Sequence, residues 1–461
     1  MRLREHRRTA ATGLAATLLA LPALASSATP AAADGSTPLP AASYGDIVVD
    51  GSHHQVFISD PSGGKLVVTD YEGQVIAEIP GLAGASGLAL SNDSGTLYTA
   101  LRDASAIAAI DTGSLAETGR YATGDSSEPE DLALAGGMLW FAWDAGDGWS
   151  GAIGSVDLSG GSPVVSPNPG RKWSVAPALE ADPSAPDTLL AGDPGVSATT
   201  MIRYDVGDGT LREQAVQHDG GPEGWGFMSD MALTEDGQSV ITATGAPYSH
   251  QVFSTSDLSY EGSYASNPYP NSVAVSPKGV VAAGINGTYA ADIYIHRPGT
   301  NTLLRTYEIT KPGDFDHPSK NLLDAGLAWS PDGERLFAVI GESRGENPEL
   351  RVLAGAAKAE SALTLAAPAT GVTGERLTVT GTLTSSDPFP RDTTVKVYRE
   401  DPQDWGGKTY LGEYTVGRNG GLRFSDTPEH EGRNTYTVVF DGDDGHTGTT
   451  ATADVMVTNA P

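Results

Sequence analysis

The chain has 461 residues, 57 of them Gly and 30 Pro, with no Cys and a formal charge of −30 at pH 7. That length exceeds one ordinary core, the Gly and Pro content suits a turn-rich all-β chain, and the lack of Cys excludes disulfide staples, thiolate chemistry and Cys-type zinc sites. So acidic a surface lacks the basic footprint that nucleic acid or an anionic membrane requires, and neither is expected as a partner.

Arg2, Arg4, Arg7 and Arg8 precede an apolar stretch from Ala10 to Ala25, followed by small residues that offer A-x-A cleavage sites at Ala25 or Ala33. Residues 1–33 therefore read as a secretory signal peptide rather than a membrane helix, and the protein is expected to be secreted and extracellular. The residues after Arg7-Arg8 do not suit a twin-arginine signal, so the general secretory route is expected. No later apolar run is long enough to cross a bilayer. Residues 34–42 read as a disordered N-terminal segment.

From Ile47 one short phrase returns seven times: IVVD at Ile47, LALS at Leu88, LALA at Leu132, LEAD at Leu179, MALT at Met231, VAVS at Val273 and LAWS at Leu327. Successive starts lie roughly 41 to 54 residues apart, near the period of a propeller blade. Each phrase opens a unit of four short, alternating strands; in the first unit these are DIVVD, QVFISD, KLVVTD and QVIAEI. The pattern predicts a seven-bladed β-propeller over residues 43–355, with the recurring Ala close to the central channel. Glu180 interrupts the fourth inner strand. The seventh unit supplies only LAWS, RLFAVI and LRVLAG; its fourth strand either comes from residues before Asp46, clasping the ring, or is missing.

The turn text that follows the inner strands, SNDSGT, TEDGQ, SPKG and SPDGE, resembles the secreted bacterial seven-bladed propellers of the YVTN/lactonase-like superfamily, over roughly residues 43–355. The resemblance implies a fold and not a function, because that superfamily hosts enzymes, binders and scaffolds.

Aligning the seven phrases places Asp46, Asp131 and Asp230 at inner-strand starts around one channel mouth, with Glu130 and Asp324 close in sequence. Two readings follow. The carboxylates could hold a hard cation such as Ca²⁺, or each could accept hydrogen bonds from nearby backbone N–H groups and fix the blade entry. No other cofactor is expected.

Loop lengths are unequal on the two faces of the predicted ring. The face bearing the channel mouth receives the long segments 143–151, 166–177, 218–229, 245–251, 286–292 and 311–324. These carry Trp143, Trp149, Trp173, Trp225, Tyr248, Tyr289 and Phe315, together with His250 and His317. Rings beside Asp, Asn and Gly suit a recognition surface, for stacking on a sugar or anchoring a partner protein. Some of these Trp could instead wedge between blades.

After the Ala-rich joint at 354–360, longer Thr- and Val-rich strands predict an immunoglobulin-like β-sandwich over residues 356–461, seven strands without a Cys pair. Its ending, YTVVFDGDDGHTGTTATADVMV, resembles the last hairpin of bacterial Ig-like repeats. Such a domain is expected to act as a spacer or stalk.

Catalytic text is missing: there is no G-x-S-x-G, no H-E-x-x-H, no P-loop and no G-x-G-x-x-G after a strand. The expected function is thus a secreted, non-enzymatic recognition or scaffold protein. Its propeller face would bind a glycan or protein, alone or with other subunits of a secreted or cell-wall-associated assembly. The alternative is a metal-dependent hydrolase of lactonase type, with Asp46, Asp131 and Asp230 holding a divalent cation that activates water or polarises a carbonyl. Lactonase-type propellers ligate their metal through carboxylates and Asn near the channel, and no motif here maps onto that set.

Overall fold

A computed structural model describes residues 35–459 except 126, 147–149, 161, 168–169, 198, 288–289, 311–318 and 404–406. The proposed signal peptide lies outside the described residues. Seven four-stranded antiparallel sheets form the blades of a propeller, and two further sheets form a C-terminal β-sandwich.

In order from the inside outwards, blade one comprises Ile47–Asp50, Gln55–Asp60, Lys65–Asp70 and Val75–Pro80, and blade two Ala85–Leu90, Thr96–Leu101, Ala106–Asp111 and Ala116–Ala122. Blade three comprises Glu128–Ala135, Met138–Asp144, Ala152–Asp157 and Val164–Ser166, and blade four Ala178–Glu180, Thr188–Gly192, Met201–Asp205 and Arg212–Gln217. Blade five comprises Met228–Leu233, Ser239–Thr244, Ser249–Ser254 and Tyr260–Ala265, and blade six Pro270–Val275, Val281–Ile285, Ile293–His296 and Leu303–Tyr307.

The middle strands of each blade are covered on both faces by the neighbouring sheets, which is why Val56, Phe57 and Ile58 are all buried although their side chains alternate. Outer strands lack this double cover, and Val75 and Ile76 remain exposed. The core is therefore a series of slabs between blades. Phe57, Leu66 and Val68 of blade one pack on Leu88, Leu97 and Ile110 of blade two.

Blade seven closes through the N-terminus. Its strands are Asn321–Trp329, Arg335–Gly341 and Glu349–Ala354, and its outermost strand is Gly35–Pro38, antiparallel to Glu349–Ala354 with Gly35 opposite Val352 and Pro38 opposite Glu349. Leu39 is buried beside Val56, Ile58 and Phe337, and the buried Asp60 carboxylate accepts the N–H groups of Ala42 at 2.9 Å and Ser43 at 3.0 Å. This stretch is therefore ordered, contrary to the disorder expected for residues 34–42. GSTP has no alternation and no bulky β-former; its conformation is imposed by the open edge it pairs with. Deleting residues 35–38 should lower the melting temperature and promote self-association through that edge, as read by thermal melts and light scattering; unchanged melting would show that the clasp contributes nothing.

The sandwich places strands Ser361–Ala366, Leu377–Ser385 and Gly421–Asp426 in one sheet, and Thr370–Val372, Thr449–Thr458, Gly432–Phe440, Thr394–Glu400 and Thr409–Thr415 in the other. Thr370–Val372, parallel to the last strand, is an eighth strand too short to show a period. The Ala-rich joint is not a free hinge. Ala356 and Ala359 are buried among Leu304, Tyr307, Trp329 and Leu353. Ala359 N–H donates to Gly445 O at 2.8 Å, Glu360 N–H donates to Leu304 O at 3.1 Å, and Arg297 of blade six pairs with Asp387 of the sandwich.

Candidate functional site

All seven inner strands line a central cavity of about 650 Å³. At its mouth Asp46 accepts the N–H of Ile47 at 2.7 Å with Oδ1, and that of Leu88 in blade two at 2.8 Å with Oδ2. Asp131 does the same with Leu132 at 2.8 Å and with Leu179 of blade four at 2.7 Å. Asp230 repeats it with Met231 and with Val273 of blade six, both at 2.8 Å. Each Asp thus ties its own strand start to the next blade.

Other side chains complete the circle. Glu180 accepts Leu233 N–H at 3.1 Å, joining blades four and five, which explains why a carboxylate interrupts that inner strand. Ser86 donates to Pro129 O at 3.3 Å, Asn271 to Leu322 O at 2.8 Å and Tyr44 to Ala325 O at 2.8 Å. Small residues alternate with the Asp positions because the blades close in there: a Cβ on Gly87 would lie 2.6 Å from the Glu130 carbonyl oxygen.

Of the two readings of the mouth, this geometry fits the second, in which Asp46, Asp131 and Asp230 accept backbone N–H groups and fix the blade entry. Both oxygens of each are engaged by backbone N–H groups, and among the described residues no group of three or more His, Asp or Glu is placed to hold a metal ion. What the carboxylates gain from these hydrogen bonds is outweighed by removal from bulk water. Burial in the ring pushes Asp46 up to about 7, with the Asp131 charge adding to it, Asp131 up to about 6 and Asp230 up to about 8. Burial also holds Glu180 well above the ordinary carboxylate range.

The aromatic residues divide differently from the expectation. Trp173 and Trp225 are buried, so neither is a stacking platform. Trp173 packs with Trp140 and Leu189 between blades three and four, while Trp225 packs with Met228 and Phe253 and donates its Nε1–H to His218 O at 3.1 Å. Their Gly- and Pro-rich loops fold inward and plug the ends of the inter-blade slabs; Gly151 lies so close to the Trp173 loop that a Cβ there would clash with Val175 O. Trp143 is half-buried on the core of blades two and three, its Nε1–H donated to Pro167 O at 3.2 Å. His250 is fully buried between Ser266 Oγ and Ser272 O, each 3.1 Å away, and burial pushes it down to about 4, so that it is neutral and structural. Trp149, Tyr289, Phe315 and His317 lie outside the described residues.

Tyr248 alone of the described set is exposed, at 58 %, and two residues the sequence did not single out join it: Phe227 at 53 % and Tyr269 at 57 %. Phe227 precedes the inner strand of blade five, Tyr248 lies between its second and third strands, and Tyr269 precedes the inner strand of blade six. All three therefore emerge on the face where the inner strands begin. Tyr248 and Tyr269 meet edge to face, with ring centroids 6.2 Å apart at 68°. Phe227 is held beside the Tyr248 loop by Gly245 N–H to Phe227 O at 3.1 Å and Gly226 N–H to Ala246 O at 2.7 Å. The missed signal is positional: both Phe227 and Tyr269 immediately precede an inner strand and neighbour Gly or Pro, where nothing covers a side chain.

Tyr269 adopts φ = +70°, a left-handed conformation that disfavours a bulky residue. Its carbonyl accepts Asn286 N–H at 2.9 Å, which fixes the turn. Strain of this kind, with the ring left in water, marks a residue kept for something other than packing. Tyr269→Gly should raise stability slightly, by less than about 1 kcal/mol once the greater chain entropy of glycine is set against the relief. A urea titration checks this, and a clear loss of stability would mean that the ring is part of the packing.

No protein-family model matches the chain, and no curated protein matches it. Solved structures do. The β-propeller domain of Myceliophteria thermophila Cps50 (Swd1) is 15% identical with a TM-score of 0.50, over 69% of this chain and 98% of that one. Kuenenia stuttgartiensis hydrazine synthase is 18% identical with a TM-score of 0.50, over 71% and 98%. At such identities the likeness shows the propeller fold and nothing of function.

Proposed function

We propose that this chain is a secreted, non-enzymatic recognition or scaffold protein. A signal peptide over 1–33 directs export, a propeller over 43–355 binds a glycan or protein partner on the face where its inner strands begin, and the sandwich over 356–461 mounts it. The observation that carries the reading is the exposed cluster of Phe227, Tyr248 and Tyr269. Three large rings left in water on one face, one of them on a strained backbone, are unfavourable unless something covers them. The arginine-led apolar leader and the turn text resembling secreted YVTN/lactonase-like propellers support the export half of the reading. No helix among the described residues is long and apolar enough to cross a membrane.

The hydrolase alternative has no observation in its favour, since the carboxylates it would use are ties between blades. The test is capture from culture supernatant and from a glycan array, with the wild-type chain and with Tyr248→Ala. Binding that the variant loses supports the proposal. A chain that binds nothing, or binds equally well without the ring, overturns it.

A further inference from the structure

We infer that Asn286 is a self-modification site: the backbone nitrogen of Gly287 attacks its side-chain amide, and the residue ages to aspartate and isoaspartate in the turn that fixes Tyr269. Nothing in this depends on what covers the exposed rings.

The chain contains two Asn-Gly pairs, Asn286-Gly287 and Asn419-Gly420. Glycine puts no Cβ beside its own nitrogen, so in either pair that nitrogen can reach the preceding side chain. What separates the two is whether the reacting groups are already engaged. At Asn419 both are. Gly420 N–H donates to Gly417 O at 2.8 Å, and Asn419 Oδ1 accepts Gly421 N–H at 3.2 Å. Leu383 N–H, donated to Gly420 O at 2.9 Å, holds the same turn from the neighbouring strand. At Asn286 neither group is engaged. Its side chain is exposed, and among the described residues neither its amide nor the Gly287 N–H has a hydrogen-bond partner. The backbone N–H of Asn286, donated to Tyr269 O at 2.9 Å, anchors the residue upstream of the reacting bond and leaves that bond unrestrained.

The chemistry needs only water. The Gly287 nitrogen gives its proton to solvent and bonds to Asn286 Cγ, the Cγ–Nδ2 bond breaks, and ammonia leaves a five-membered succinimide. Water then opens the ring at either carbonyl. Cleavage at Cγ restores the original chain path with an aspartyl side chain, whereas cleavage at the backbone carbonyl gives isoaspartate, with one more carbon in the chain path. Each product sets a new carboxylate beside the N–H that Tyr269 O accepts. The longer path of isoaspartate lies in the loop between Val281–Ile285 and Ile293–His296, so the change falls on the turn beneath a residue whose backbone is already strained.

The test is peptide mapping by mass spectrometry of the full chain, incubated folded at neutral and at mildly alkaline pH and, in parallel, unfolded in urea. Two hydrogen bonds must break before Asn419 reacts, so in the folded chain Asn286 should deamidate about tenfold faster than Asn419. The rate should rise with pH, because the nucleophile is the deprotonated nitrogen, and the two sites should draw level in urea. Asn286→Gln should remove the reaction at that site, since a six-membered ring closes far more slowly, and should leave Asn419 unchanged. Equal rates in the folded chain, a faster Asn419, or a folded Asn286 that stays intact while the unfolded one reacts overturns the inference. The deamidated form, separated by anion exchange, should exchange the Asn286 amide hydrogen faster than fresh chain. Unchanged exchange would show that the turn under Tyr269 survives and would overturn that consequence.

Discussion

Trp225→Ala is expected to lower stability by about 3–5 kcal/mol, whereas Tyr248→Ala, on the same face of the ring, should change it by less than about 0.5 kcal/mol. Both aromatics come from loops of blade five, and only their surroundings separate them. Trp225 is 5 % exposed, tilts against Phe253 with centroids 5.2 Å apart, and satisfies its indole N–H on His218 O. Truncation removes a large apolar volume from the slab between blades four and five and leaves the His218 carbonyl without this donor. Tyr248 is 58 % exposed and its ring meets that of Tyr269 edge to face, so its truncation removes little buried area. Urea titrations of the two variants decide the matter. A Trp225→Ala chain with the wild-type midpoint would show that the indole is not part of the core.

Stability is expected to fall as pH rises from about 6.5 to about 8, by several degrees in melting temperature. Asp46 and Asp230, pushed up to about 7 and about 8, keep protons in the folded ring that the unfolded chain, with ordinary carboxylates near 3.8, has already released. Unfolding therefore releases protons in this window and is favoured as they become scarcer. Below it His250 works in the other direction: folded it sits near 4, unfolded near 6.5, so acid favours the unfolded chain through that group. The window above 6.5 isolates the carboxylates. Channel water reaches their edges, since all of them border the cavity, and this screening moderates the loss. In Asp230→Asn the slope should become shallower, because one titrating group has gone. A melting temperature that is flat or rising between pH 6.5 and 8 would contradict the assignment.

The blade count was legible because inner strands need small apolar residues at a fixed interval, and seven such phrases recur. The same alignment put Asp46, Asp131 and Asp230 at strand starts, where they stand. Their role was legible in half: acceptance of nearby backbone N–H groups was one of the two readings, whereas the second bond, to an N–H of the next blade, depends on a distance no single strand encodes. Loops gave less. Side-chain direction there follows no period, so the Gly- and Pro-rich text around Trp173 and Trp225 suggested exposure although both loops fold inward. Phe227 and Tyr269 were missed for the converse reason, that an aromatic next to a strand start reads as part of the strand. Gly35–Pro38 and Thr370–Val372 are strands only because a partner edge is present, and neither carries a pattern of its own.

The clasp sets the order in which the molecule can be assembled. Gly35 is opposite Val352, so this strand, made early, has no partner until nearly the whole ring has been made. Until then the growing chain is an open arc with two sticky ends. Ile47 and Val67 are left uncovered at one end until Phe337 and Val339, which they pack with in the closed ring, have been made. Joining distant parts of a chain carries a loop-closure cost that comes due before the contacts that offset it are made. The last event in folding should therefore be the slow one, a whole-ring fastening rather than the completion of any single blade.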